Sequence, residues 1–119
     1  MKILFIGDIV GKPGRVGLEA VMPELRSAHS PDLVIANGEN VAGGMGLTIS
    51  TAAAMLGAGI DVITSGNHIW DKKEGVALLD KVPNLLRPAN YPKDNPGKGV
   101  FVGETAAGIP VAVLNLEGR

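Results

Sequence analysis

The stretch from Lys2 to Asp8, KILFIGD, decides the fold of this chain. Its four consecutive apolar residues, followed by Gly and Asp, are typical of a strand that is covered on both faces and ends in a sharp turn. The same pattern recurs in DLVIANGEN at 32–40 and in IDVITSGNH at 60–68. Such strands occur in parallel sheets whose crossovers are helices, so the pattern predicts βαβ units.

Helical patterns lie between these strands. A first helix is predicted over 15–29, and Pro23 is expected to kink or split it. A second helix is predicted over 48–58, because it starts with capping residues and stops at Gly59. The apolar face of the first helix is formed by Val16, Leu18, Met22 and Leu25.

A third helix is predicted over 72–81, where Asp71 and Glu74 resemble the start of a capping box. Two further strands are predicted near 99–102 and over 109–116. The whole pattern predicts an α/β fold with a mostly parallel sheet and flanking helices. Three helices for about five strands leave burial incomplete, which favours a piece of a longer protein or a homo-oligomer.

Composition excludes several classes of protein. The chain has 119 residues, of which 45% are hydrophobic and 19% charged, as expected for one modest globular domain. The absence of cysteine excludes disulfides, thiolate zinc sites and cysteine nucleophiles. A net charge of −1 without a basic cluster argues against binding to duplex nucleic acid. No apolar run approaches the roughly 20 residues of a membrane span, and no signal peptide is evident, so we expect a cytoplasmic protein.

Polar side chains follow each of the first three predicted strands. The spacing is 31 residues from Asp8 to Glu39 and 28 residues from Glu39 to Asn67, about one βα unit each. Because the carboxyl ends of parallel strands meet at one edge of a sheet, we expect these side chains, with Asn40 and His68, to converge. Carboxylate, amide and imidazole groups at one edge are typical of a site for divalent metals such as Mn²⁺, Fe²⁺ or Zn²⁺.

Each of these residues also has a structural interpretation. Asp8 could cap the helix that follows it, and Glu39 could be a solvated loop carboxylate. Asn40 and Asn67 are common turn residues. His68 could be a buried core histidine, or it could act as an acid or bind a phosphate oxygen. The other histidine, His29, lies near a helix end, and we expect it to cap that end or contact solvent.

Two glycine-rich stretches do not match phosphate-binding motifs. The sequence from Gly7 to Pro13 lacks both the spacing and the Ser or Thr of a P-loop. The glycines at 43–46 lack the dinucleotide-binding register, so we interpret 41–46 as a mobile loop that either contacts a phosphate or is simply flexible. The loop at 87–98 carries three prolines and either is an irregular surface connection or borders a binding site.

Three motifs together resemble a known family. GDIVGKPGR at 7–15, ANGENVAGG at 36–44 and SGNHIWD at 65–71 look like the N-terminal half of the calcineurin-like metallophosphoesterases, in the branch of bacterial YmdB-like proteins. In the broader superfamily the first motif is D-x-H and the second is GD. Here Val10 replaces the histidine and Glu39 replaces the aspartate, and these departures mark the YmdB-like branch.

The resemblance implies a site and an activity. Asp8, Glu39, Asn40 and Asn67 would be ligands of a centre with two divalent metal ions (Fe, Mn or Zn), and Glu39 would bridge them. His68 would be the proton donor. The activity would be hydrolysis of a small phosphodiester, with 2′,3′-cyclic nucleotides as the substrate class, and residues 1–119 would form the N-terminal part of the domain.

This site is incomplete in the sequence. The remaining ligands of the family are histidines from its C-terminal half, whereas this chain has no further histidine except His29. We therefore expect the 119 residues alone to be inactive. The alternative functions are a non-catalytic α/β module that binds a metal or nucleotide, a regulator that acts through a protein partner, and a flavodoxin-like ligand binder.

Overall fold

A computed structural model describes residues 1–118 of the chain. This part contains five strands and three α-helices: the helices alternate with the first three strands, and the last two strands follow one another, as the sequence predicts. None of its helices is both long enough and apolar enough to cross a membrane. The elements are β1 (Ile3–Ile6), α1 (Gly11–His29), β2 (Leu33–Asn37), α2 (Ile49–Gly57), β3 (Val62–Thr64), a 3₁₀ helix (Asn67–Trp70), α3 (Lys73–Leu78), β4 (Val100–Glu104) and β5 (Pro110–Leu114).

The strands form one parallel sheet and one antiparallel hairpin. The parallel sheet has the order β1-β2-β3, with Ile3 opposite Leu33 and Ile35 opposite Val62. Strands β4 and β5 pair with each other in antiparallel orientation. The predicted α/β class with a mostly parallel sheet and flanking helices is therefore confirmed.

One face of the parallel sheet is covered by helices. Val34, Ala36 and Ile63 point to this side and are fully buried. They share a core cluster with Met22 of α1 and Met55 of α2. This cluster is the main hydrophobic core.

The opposite face is covered only in part. Val111 and Val113 of β5 pack against Leu33 and Ile35 in a second, smaller cluster. The neighbouring strand β1 is not covered there, because Ile3 is 52% exposed and Phe5 is 60% exposed. The incomplete burial expected from the sequence is present on this open face, which we define by Ile3 and Phe5.

Helix α1 differs from its prediction in three respects. It begins at Gly11 rather than Arg15, because a proline in the first helical turn needs no backbone donor and Pro13 is therefore tolerated. It continues through Pro23, so the predicted split is wrong. Pro23 has no backbone N–H to donate to the carbonyl of Glu19, four residues earlier. Both residues are exposed, so water can hydrate that carbonyl. Val16, predicted on the apolar face, is 56% exposed.

Helix α2 lies within one residue of its prediction at each end, whereas α3 is shorter than predicted. Thr48 caps α2 through a capping box with Thr51. The predicted capping box of α3 is wrong, because its N-cap is Lys72 and no side chain caps it. The Asp71 carboxylate contacts the His68 ring instead, and the Glu74 carboxylate accepts a hydrogen bond from the backbone of α2.

Candidate metal centre

The turn after β2 places Glu39 at the carboxyl edge of the sheet. Gly38 is closely packed there, since a Cβ would lie 2.8 Å from the sulfur of Met55 and 3.0 Å from Cγ2 of Ile63, and these side chains would have to shift. The amide of Asn37 donates to Oε1 of Glu39 at 3.3 Å, and the backbone N–H of Glu39 donates to Oδ1 of Asn37 at 3.3 Å. Asn37 therefore orients the Glu39 carboxylate, a role that no motif in the sequence marks.

The Glu39 carboxylate lies against the turn after β3. A Cβ on Gly66 would be 2.5 Å from Oε2 and 2.7 Å from Oε1 of Glu39, so only glycine leaves room for the carboxylate. The backbone N–H of His68 donates to Oε2 of Glu39 at 3.3 Å. This carboxylate therefore joins the ends of β2 and β3.

The end of β1 is joined to the turn after β2, which carries Glu39 and Asn40. The amide nitrogen of Asn40 donates to both carboxylate oxygens of Asp8, at 3.0 Å each. The N-cap of α1 is Val10 and has no side-chain bond, so Asp8 does not cap this helix. The other atom of the Asn40 amide, Oδ1, is buried and has no hydrogen-bond partner in residues 1–118. Such a buried acceptor is costly unless another group binds it.

Asn67 and His68 form the start of the 3₁₀ helix. Asn67 lines the same groove as Glu39. The His68 side chain is 35% exposed, so it is not a core histidine. Its Nδ1 lies 2.6 Å from Oδ2 of Asp71. This hydrogen bond raises the pKa of His68, which burial partly opposes and the negative charges of Asp71, Glu39 and Asp8 reinforce.

These residues fit a divalent cation, although they do not complete a site. Carboxylate and amide oxygens suit hard cations, Asn40 offers an unpartnered buried oxygen, and Gly66 leaves the Glu39 carboxylate its space. In the part of the chain that the structure describes, no group of three or more His, Asp or Glu side chains is arranged to hold a metal. Two of the four predicted ligands, Asn40 and Asn67, are neutral amides, so a metal site here would need further donor groups.

His29 lies away from these residues. It is the last residue of α1, and its carbonyl accepts a hydrogen bond from Nζ of Lys2 at 3.1 Å, at the amino end of the sheet. The structure therefore leaves His29 outside the candidate site, as the sequence predicts.

The glycine-rich loop at 41–46 is packed against this edge. Gly43, Gly44 and Gly46 all have positive φ, which few other residues adopt. Val41 is fully buried, and its carbonyl accepts a hydrogen bond from the Arg15 guanidinium. The loop is thus bonded to α1, and its contact with a phosphate stays a prediction.

The proline-rich loop at 87–98 borders the turn that carries His68. Its Tyr91 ring lies 5.4 Å from the ring of Trp70. The Asn90 amide donates to the carbonyl of Glu117 at 2.6 Å and accepts from its N–H at 3.0 Å. The Glu117 carboxylate beside the Tyr91 hydroxyl raises the pKa of this phenol. Nothing in the sequence signalled these long-range contacts.

A groove of about 880 Å³ opens from the candidate site. It runs from Glu39 and Asn67 along β5 to the open face at Ile3 and Phe5. One end is therefore polar and adjoins the site, while the other end is apolar.

Comparison with known proteins identifies the family. Residues 4–119 match the family described as YmdB-like protein. The chain belongs to this family. It is 50% identical over 119 residues to the 2′,3′-cyclic-nucleotide 2′-phosphodiesterase of Bacillus subtilis (strain 168), an alignment that covers 100% of this chain and 45% of that protein. The resemblance deduced from the three motifs is confirmed.

Two solved structures share the fold of this YmdB-like chain. A hypothetical protein from Thermus thermophilus has a TM-score of 0.91 and 41% identity, covering 100% of this chain and 46% of its own. A novel phosphatase from Mycoplasma pneumoniae has a TM-score of 0.90 and 34% identity, covering 99% of this chain and 43% of its own. The chain spans less than half the length of these relatives.

Proposed function

We propose that this chain carries the N-terminal ligand set of a metal-dependent phosphodiesterase that hydrolyses 2′,3′-cyclic nucleotides. The observation that carries the proposal is that direct hydrogen bonds join three strand ends distant in sequence, through Asp8 to Asn40 and through Glu39 to His68. Ligands bind at this edge of α/β sheets. The similarity to the 2′,3′-cyclic-nucleotide 2′-phosphodiesterase of Bacillus subtilis supports the substrate class.

In this proposal four side chains hold two divalent cations, Fe, Mn or Zn. Asp8, Glu39, Asn40 and Asn67 would be the ligands, and Glu39 has two oxygens to offer. Divalent cations at such a site lower the pKa of water and neutralise the charge of a phosphodiester. Four side chains are too few for two such cations, so water or residues beyond this set complete the coordination.

His68 supplies the proton in the proposed reaction. Water adds its oxygen to phosphorus and loses a proton to solvent, and the bond between phosphorus and the 2′ oxygen breaks. The His68 ring gives its proton to that departing oxygen, which becomes a hydroxyl and leaves a 3′-monoester. Nδ1 is engaged by Asp71, so Nε2 is the nitrogen that is available for this transfer.

The test is His68→Ala in the full-length gene product. We expect unchanged metal content and a loss in turnover of a 2′,3′-cyclic nucleotide of about 10²- to 10⁴-fold, the range for a lost general acid. Loss on bis(p-nitrophenyl) phosphate should be much smaller, because an activated aryl oxide needs little protonation. His29→Ala is the matched control and should behave as wild type.

Other outcomes assign His68 differently. Equal loss on both substrates with intact metal would indicate charge stabilisation by His68 rather than proton donation. Loss of metal would make His68 a ligand, and full activity on both substrates would make its role structural.

The second candidate is a non-catalytic α/β module that binds a metal or nucleotide, or a regulator that acts through a protein partner. It is favoured by the lack, within residues 1–118, of three His, Asp or Glu side chains arranged around one metal. Full-length protein that retains no divalent metal after gel filtration and hydrolyses neither substrate would support this candidate.

A further inference from the structure

His68 and Asp71 are paired through their side chains by local geometry. In a 3₁₀ turn, side chains three residues apart lie directly above one another. The backbone N–H of Asp71 donates to the carbonyl of His68 at 3.1 Å and closes this turn. The ring Nδ1 and Oδ2 of Asp71 are then 2.6 Å apart.

Asp71 has no evident structural task besides this contact. The following helix is capped by the backbone of Lys72, without a side-chain bond. Within residues 1–118 the Asp71 carboxylate makes no hydrogen bond other than that with the His68 ring. Its side chain is 38% exposed, and ion pairs at such positions add little to stability.

The His68 residue is held from two sides. Glu39 accepts its backbone N–H, and Asp71 contacts Nδ1 of its ring. The first contact fixes the residue beside the candidate ligands, and the second fixes the direction of the ring. The nitrogen that remains, Nε2, makes no hydrogen bond within the described residues.

We propose that Asp71 is the positioning residue for His68: its carboxylate accepts the proton of Nδ1, which fixes the ring orientation and leaves Nε2 to face the leaving oxygen of the substrate. A carboxylate that accepts from Nδ1 orients the imidazole and stabilises its doubly protonated form, in which the proton to be donated lies on Nε2. The assignment rests on the proposed function, in which His68 is the acid.

The first test needs no turnover. The ¹⁵N shifts of the His68 ring, identified by their loss in His68→Ala, are measured in the metal-free full-length protein at a pH where the ring is neutral. We expect the tautomer with the proton on Nδ1. Asp71→Ala should shift the population to the tautomer with the proton on Nε2, which free imidazole side chains prefer. A wild-type ring protonated on Nε2 would overturn the proposal.

The second test separates positioning from a merely structural role. In the full-length protein, Asp71→Asn should lower kcat on a 2′,3′-cyclic nucleotide by about 10- to 100-fold, less than loss of the acid itself, with KM unchanged. The effect on bis(p-nitrophenyl) phosphate should be much smaller. Asp71→Glu, which keeps the carboxylate, should restore part of kcat. The exposed Asp94 provides the control, and Asp94→Asn should have no effect.

A double variant completes the test. If Asp71 acts through His68, Asp71→Asn should cause no further loss in a His68→Ala background. Additive losses, or equal losses on both substrates, would overturn the positioning role while the proposed function stands. If the wild-type protein hydrolyses neither substrate, the proposed function fails, and the tautomer measurement still decides whether Asp71 orients the ring.

Discussion

The two faces of the parallel sheet differ in how completely they are covered. On the helix side, Val34, Ile63 and Met55 are entirely buried. On the other side the β4–β5 hairpin covers β2 and β3, while Phe5 on the edge strand β1 is 60% exposed. The candidate site lies at the carboxyl edge, where the two faces meet.

The difference separates what this chain can organise alone from what it cannot. The turn that carries Glu39 is fixed by the packed face, because Gly38 rests on Met55 and Ile63. The groove beside Glu39 continues on to the open face. We therefore expect the geometry of the candidate metal ligands to depend on the packed face. Association between copies of the chain should depend on the open face.

The largest stability effect is expected on the packed face. Met55→Ala should lower the free energy of unfolding by about 2–5 kcal/mol, since it leaves a cavity beneath Gly38. Urea unfolding at a low micromolar protein concentration measures this loss in the free energy of unfolding. Ile3→Ala on the open face is the matched variant and should cost well under half as much, because Ile3 is 52% exposed. Equal losses would contradict the contrast between the faces.

A smaller effect, on association between copies of the chain, is expected for the open face. The 119-residue chain should associate by itself, because β1 offers an unpaired edge and exposed apolar side chains. It should also be inactive, because its four candidate ligands are too few for two cations. Phe5→Ser should reduce the mass observed by light scattering. Val16→Ser serves as the control, since Val16 is 56% exposed on α1, and it should leave the mass unchanged. A monodisperse wild-type monomer would show that the open face does not drive association.

The strand ends were predictable because a periodic signal marks them. Apolar runs followed by Gly and a polar residue recur at the spacing of one βα unit, so the convergence of Asp8, Glu39 and His68 follows from parallel topology alone. The cap of α2 was predictable because Thr48 lies next to the helix that it caps.

The remaining features depend on contacts that sequence spacing does not report. Asp71 has the spacing of an N-cap for α3, but the 3₁₀ turn places its carboxylate against the ring of His68 instead. Pro23 is tolerated because it faces solvent on a helix that is anchored by its other face. The contact of Tyr91 with Trp70 joins a loop to a distant turn, and no local pattern marks either ring as a partner.

The most direct measurement of the central claim is the divalent metal content of the full-length protein with substitutions at the strand ends. We predict that Asp8→Asn and Glu39→Gln each remove most of the bound metal, because a neutral amide replaces an anionic oxygen poorly. Gly66→Ala should do the same by displacing the Glu39 carboxylate, whereas Gly7→Ala should not, because a Cβ at Gly7 has no atom within 4 Å. Metal content equal to wild type in both carboxylate variants would show that Asp8 and Glu39 are not ligands.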